Sequence, residues 1–189
     1  MNVSLSCQVD NESQLDALAQ LLLDTAPPSA VVLLRGTLGA GKTRLVRGVA
    51  AAAGIDPATV VSPTFVLCQT YTGEVKRATQ PLATKSPPLS QAMQASREPE
   101  PRSVTIHHVD AYRLADEDEY LQLGADEFME SEALTFVEWG DRVADALPQD
   151  RLEVELIVTG EQTREVIVQG VGDESSAWVE RLRTRWSTS

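Results

Sequence analysis

Apolar residues recur at helical spacing early in the chain, at Leu15, Leu18, Ala19, Leu22 and Leu23. This predicts an amphipathic helix, with Ser13 as its cap and Pro27 and Pro28 just past its end. Ala30, Val31, Val32, Leu33 and Leu34 then run without a polar interruption, the pattern of a parallel-sheet strand covered on both faces. A glycine-rich stretch separates it from Leu45, Val46, Val49, Ala50 and Ala53, which repeat every three or four residues up to Gly54. That second helix is expected to end with Gly54 in the left-handed conformation. The local order is strand, loop, helix.

Further strands are expected at Val60 and Val61 continuing through residues 65–71, bent at Pro63, and at residues 104–109 and 134–139. Leu152, Val154, Leu156 and Val158 alternate with charged residues, and Val166, Ile167 and Val168 follow Gly160. This predicts an antiparallel hairpin with one wet face. Trp178, Val179 and Leu182 suit a short closing helix. Residues 74–103 contain five prolines and hardly any large apolar side chain, so they are expected to form a mobile insertion that buries too little surface to offset its ordering entropy.

With 189 residues, the chain fits one domain large enough for a proper core. Sixteen Lys and Arg against 28 Asp and Glu give a net charge of -12. Broad direct contact with nucleic acid is disfavoured, since the molecule as a whole repels phosphate backbones. Cys7 and Cys68 show no zinc or disulfide spacing and read as small buried hydrophobes. No secretory leader or run of about 20 apolar residues is visible, and a soluble, cytoplasmic protein is expected.

The chemistry concentrates in Gly36, Thr37, Leu38, Gly39, Ala40, Gly41, Lys42 and Thr43, which match G-x-x-x-x-G-K-[ST] between a strand and a helix. Glycines let backbone N–H groups turn inward around phosphate oxygens, and the helix N-terminus faces the same anion. Lys42 is expected to reach the outer phosphates of a nucleotide, and Thr43 to offer its hydroxyl to Mg2+. Such a loop also needs a carboxylate at a neighbouring strand end, and Asp110 follows the strand at 104–109. Glu138 ends another strand and is expected at the same rim, holding the metal or orienting a water, or else pairing with Arg142. His107 and His108 stand on opposite strand faces and are expected to be packed and hydrogen-bonded. Trp139 is expected to support the nucleotide loop, and residues 116–119 to form a solvated helix face.

Four motifs in order resemble one family: L-R-G-T-L-G-A-G-K-T, S-P-T-F at residues 62–65, H-V-D-A-Y-R-L at 108–114 and V-E-W at 137–139. Together they resemble TsaE, the small ATPase needed to make threonylcarbamoyladenosine (t6A) in bacterial tRNA, over nearly the whole chain apart from residues 74–103. The resemblance implies an α/β fold, a P-loop NTPase sheet flanked by helices, with ATP in the loop. It implies Mg2+ near Thr43, Asp110 and Glu138, with Lys42, Asp110 and Glu138 catalytic. It further implies a switch role for Thr64, and nucleotide contacts from Asn11, Thr163 and Arg164. By the same resemblance the partners are TsaD and TsaB, with tRNA reached only through them. Other readings of the loop are a small-molecule kinase, which would require an arginine-bearing lid, and a nucleotide-gated binding module with little turnover. No N-K-x-D motif selects guanine.

Overall fold

A computed structural model of the chain describes residues 3–63, 67–75, 102–124 and 132–187. Among these residues seven strands form one sheet, labelled in chain order β1 (Val3–Val9), β2 (Ala30–Arg35), β3 (Cys68–Val75), β4 (Arg102–Asp110), β5 (Ala133–Glu138), β6 (Arg151–Val158) and β7 (Arg164–Val171). Their spatial order is β1-β7-β6-β2-β5-β4-β3. The middle of the sheet is parallel, with β2 between β5 and β6 and β4 beside β5. The margins are antiparallel: β3 on β4, and β6, β7 and β1 in succession. The expected hairpin is therefore the pair β6–β7.

β2 is the central strand, and its continuous apolar run is explained by cover on both sides. Val32 and Leu34 face a core built with helices α1 (Glu12–Thr25), α2 (Lys42–Ala52) and α4 (Asp173–Trp186), while Val31 and Leu33 face a second core. The second core is closed by Leu114, by Tyr120 of α3 (Glu117–Gln122), and by Val143 and Leu147 around the 3-10 segment Gly140–Ala146. The fold is thus α/β, a P-loop sheet sandwiched by helices. Trp178 ties α4 to the end of α1 by donating from Nε1 to Thr25 Oγ1 at 3.0 Å.

Several boundaries differ from expectation. Asn11, not Ser13, caps α1, its side chain accepting from the Gln14 N–H. Val60 and Val61 lie outside any strand, although Val60 is fully buried, and β3 begins only at Cys68. Glu74 and Val75 belong to β3 and Arg102 and Ser103 to β4, paired across the hairpin. The margins of the supposed insertion are therefore sheet, and residues 76–101 lie outside the described residues. The closing helix runs 14 residues, longer than expected. β1 lies outside the expected strands, although Val3, Leu5, Cys7 and Val9 alternate with Ser4, Ser6 and Gln8 as a half-buried strand should. Both thiols are raised by burial to about 11, in keeping with inert packing roles.

Gly170 shows how closely α4 packs on β7. A Cβ there would stand 2.5 Å from the carbonyl carbon of Ser175 and the nitrogen of Ser176. Backbone cannot swing aside as a side chain can. Gly170→Ala is therefore expected to destabilise the fold by about 1–3 kcal/mol, read as a lower urea midpoint with an unchanged slope.

Candidate nucleotide site

The loop after β2 turns on its glycines. Gly36, Gly39 and Gly41 have φ of 137, 78 and 114°, all in the region that side chains avoid. At Gly36 space is limiting as well, because a Cβ would lie 2.6 Å from the Leu156 carbonyl oxygen on β6. Gly41 precedes α2 with no side-chain cap, so the first N–H groups of this helix are left for another acceptor. This is the arrangement in which a helix start receives phosphate.

Period-two alternation sets the acids on the α2 side of the sheet. Asp110 closes β4 and Glu138 closes β5, and the two are register partners on adjacent parallel strands. Ile106 and His108 precede Asp110 on its face, as Leu134 and Phe136 precede Glu138. Both carboxylates are buried, with 4% and 3% exposure. Thr43 Oγ1 donates to Glu138 Oε1 at 2.6 Å, and Ser62 Oγ donates to Asp110 Oδ2 at 2.9 Å. His108 Nε2 lies 2.8 Å from the same Oε1. Asp110 Oδ1 also accepts from the Tyr112 N–H, which fixes the start of the segment beyond β4.

Lys42 projects into this group, 4% exposed. Its Nζ donates to the carbonyls of Gly36 at 2.8 Å and Thr37 at 3.0 Å, and stands 4.0 Å from the centre of the Trp139 ring. Burial lowers the lysine's pKa, while Glu138, Asp110 and Asp141 pull it back up. Trp139 holds a left-handed φ of 58°, and its ring meets Tyr112 at 5.2 Å. Arg142 donates to the Tyr112 carbonyl at 2.6 Å. The expected alternative of a Glu138–Arg142 pair is not formed: Glu138 turns inward to Thr43 and His108.

The remaining candidates lie as follows. Asn11 caps α1 through its Oδ1, one turn before Leu15, whose Cδ2 would lie 3.8 Å from a Cβ on Gly41. Thr163 occupies the β6–β7 turn and accepts from Thr159 Oγ1 at 3.0 Å. Arg164 reaches the loop itself, Nε donating to the Ala40 carbonyl at 2.9 Å. Thr64 lies outside the described residues. Asn11 thus caps its own helix, while Arg164 braces the phosphate-loop backbone from β7, 124 residues away in sequence. His107 and His108 are both buried; His107 Nδ1 bonds to Thr70 Oγ1 at 2.9 Å. Residues 116–119 begin α3, with Asp116 as cap.

A hydroxyl and two carboxylates are hard oxygen donors, the kind Mg2+ takes one or two at a time alongside phosphate oxygens and water. Thr43, Asp110 and Glu138 fit that chemistry. Among the described residues no group of three or more His, Cys, Asp or Glu could hold a metal alone. No helix among them is long and apolar enough to cross a membrane.

Comparison with known proteins agrees with the motif order. The family described as threonylcarbamoyl adenosine biosynthesis protein TsaE matches residues 9–82 and 76–166. The tRNA threonylcarbamoyladenosine biosynthesis protein TsaE of Bacillus subtilis is 30% identical over 91% of this chain and 89% of its own length. Its Streptomyces coelicolor namesake is 32% identical over 84% of each. The crystal structure of Bacillus subtilis YdiB superposes with a TM-score of 0.70 at 25% identity, covering 98% of this chain and 97% of that one. A family match across most of the chain, relatives alike over nearly their full length and a shared fold make this protein a member of the TsaE family, which acts in t6A biosynthesis.

Proposed function

We propose that the chain is an Mg2+-dependent ATP hydrolase of the cytoplasm, with ATP in the loop of residues 36–43, that serves a TsaD–TsaB complex in t6A modification and meets tRNA only through it. The hydrogen bond from Thr43 to Glu138, beside Asp110 and at the uncapped start of α2, carries this reading. It sets a hydroxyl and two acids where a phosphate-bound cation would meet them. The net charge of -12 suits a protein that does not grip tRNA itself.

In this reading the loop N–H groups hold the phosphates, and Lys42 exchanges the Gly36 and Thr37 carbonyls for phosphate oxygens. Thr43 and Asp110 orient toward the cation, and Glu138 positions it or a water. The cation, when bound, neutralises charge on the transferred group. Trp139 stacks behind Lys42 and limits where its ammonium can go. Turnover measured alone and with purified TsaD and TsaB tests the reading. Phosphate release that rises with the partners is expected; transfer to a small acceptor, or nucleotide binding without release under any condition, would overturn it.

The sparse donor set makes a further prediction. Mg2+ titrated without nucleotide should show no saturable binding below about millimolar concentration, because phosphate oxygens supply part of its shell. With ATP present the calorimetric signal should appear.

A further inference from the structure

We propose that His108 is a positioning residue that holds Glu138 in the orientation its role requires; this rests on the hydrolase reading above. The ring is fully buried in β4. Its Nε2 is 2.8 Å from Glu138 Oε1, while Nδ1 has no hydrogen-bond partner among the described residues. A carboxylate only accepts, so Nε2 carries the hydrogen and donates it. A histidine used merely as filler between Ile106 and Phe136 would be a poor choice. An aliphatic side chain would fill the same layer without burying an unsatisfied nitrogen.

The geometry explains what the imidazole adds. Glutamate has three rotatable bonds, and a threonine hydroxyl swings freely about its own C–O bond, so Thr43 alone fixes Oε1 loosely. The His108 ring is locked in a strand and supplies a second donor of fixed direction to the same oxygen. Both hydrogen bonds land on Oε1, so Oε2 is the oxygen available to a metal-bound or attacking water. Partners of this kind, one step removed from the reacting centre, commonly change metal affinity or activity by about 10- to 100-fold.

The test uses the full chain with His108→Leu, which removes the donor, and His108→Gln, which returns an N–H near the position of Nε2. Each is made alone and combined with Glu138→Gln, with folding checked by urea denaturation. At saturating Mg2+, His108→Leu should lower kcat about 10- to 100-fold with KM for ATP within about twofold. His108→Gln should recover most of the loss, and His108→Leu should add nothing in the Glu138→Gln background. A second readout needs no turnover: the Mg2+ concentration that half-saturates binding of a fluorescent ATP analogue should rise severalfold in His108→Leu and not in the double variant. An unchanged kcat, a loss that Gln does not rescue, or equal losses with and without Glu138 would overturn the proposal. If the wild type shows no turnover even with partners, the hydrolase reading fails, and the Mg2+ dependence of analogue binding decides the positioning role alone.

Discussion

Lys42→Ala is expected to abolish measurable ATP binding and turnover. Lys42 is the ammonium that the loop holds against Trp139, between its own carbonyls and two buried acids. Removing one preorganised donor from a site of developing charge costs a factor on the order of 10²–10³ in rate, and each tenfold is about 1.4 kcal/mol. Here the loss should be larger, since the same group also attracts the ground-state phosphates. The substitution also removes the buried ammonium that interacts electrostatically with Glu138 and Asp110, so the urea midpoint should fall as well. Calorimetry with ATP and Mg2+ at a temperature where the variant is fully folded separates the two effects. Unchanged affinity and turnover would show that the loop does not bind phosphate.

Asp110→Ala and Glu138→Ala should give a different pattern, with turnover falling about 10²-fold while nucleotide affinity stays within a few-fold. The loop N–H groups and Lys42 carry most of the ground-state contact, whereas the acids act through a metal or water whose placement matters most as the transferred group develops its charge. Steady-state kinetics paired with direct binding reads the split. Strong loss of affinity with normal turnover at saturating ATP would mark both acids as structural. Their burial and their hydrogen bonds from Ser62 and Thr43 argue for fixed orientation.

Where backbone chemistry leaves a strong local mark, the sequence is legible. The glycines at 36, 39 and 41 announce a loop that only positive φ can close, and the run from Ala30 to Leu34 announces a strand covered on both faces. The acids at 110 and 138 stand out because each closes an apolar strand at the carboxyl end of the parallel ladder, the edge where ligands bind in open α/β sheets. Less legible is what depends on pairing. β3 is mostly polar and exists because β4 offers it a ladder, whereas the apolar pair Val60 and Val61 suggests a strand where none forms. β1 alternates completely, but seven residues with two serines carry a weak signal without a partner. The bond from His108 to Glu138 joins residues 30 apart in sequence on neighbouring strands, and only the β4–β5 register brings them together. Arg164 is expected from the sequence as a nucleotide contact, and the bond its Nε makes is to the Ala40 carbonyl of the loop.

The position of β1 has a consequence for how the chain is born. Among the described residues this first strand pairs only with β7, so that Val3 faces Gly170 and Val9 faces Arg164. At ribosomal speeds of about 5–20 residues per second, its partner emerges on the order of 10 s later. Through that interval an alternating strand with Val3, Leu5, Cys7 and Val9 waits unpaired, a natural target for a chaperone or for the matching strand of a neighbouring nascent chain. The phosphate loop and α2, by contrast, follow β2 directly in sequence, so the strand–loop–helix unit can assemble long before the sheet is sealed.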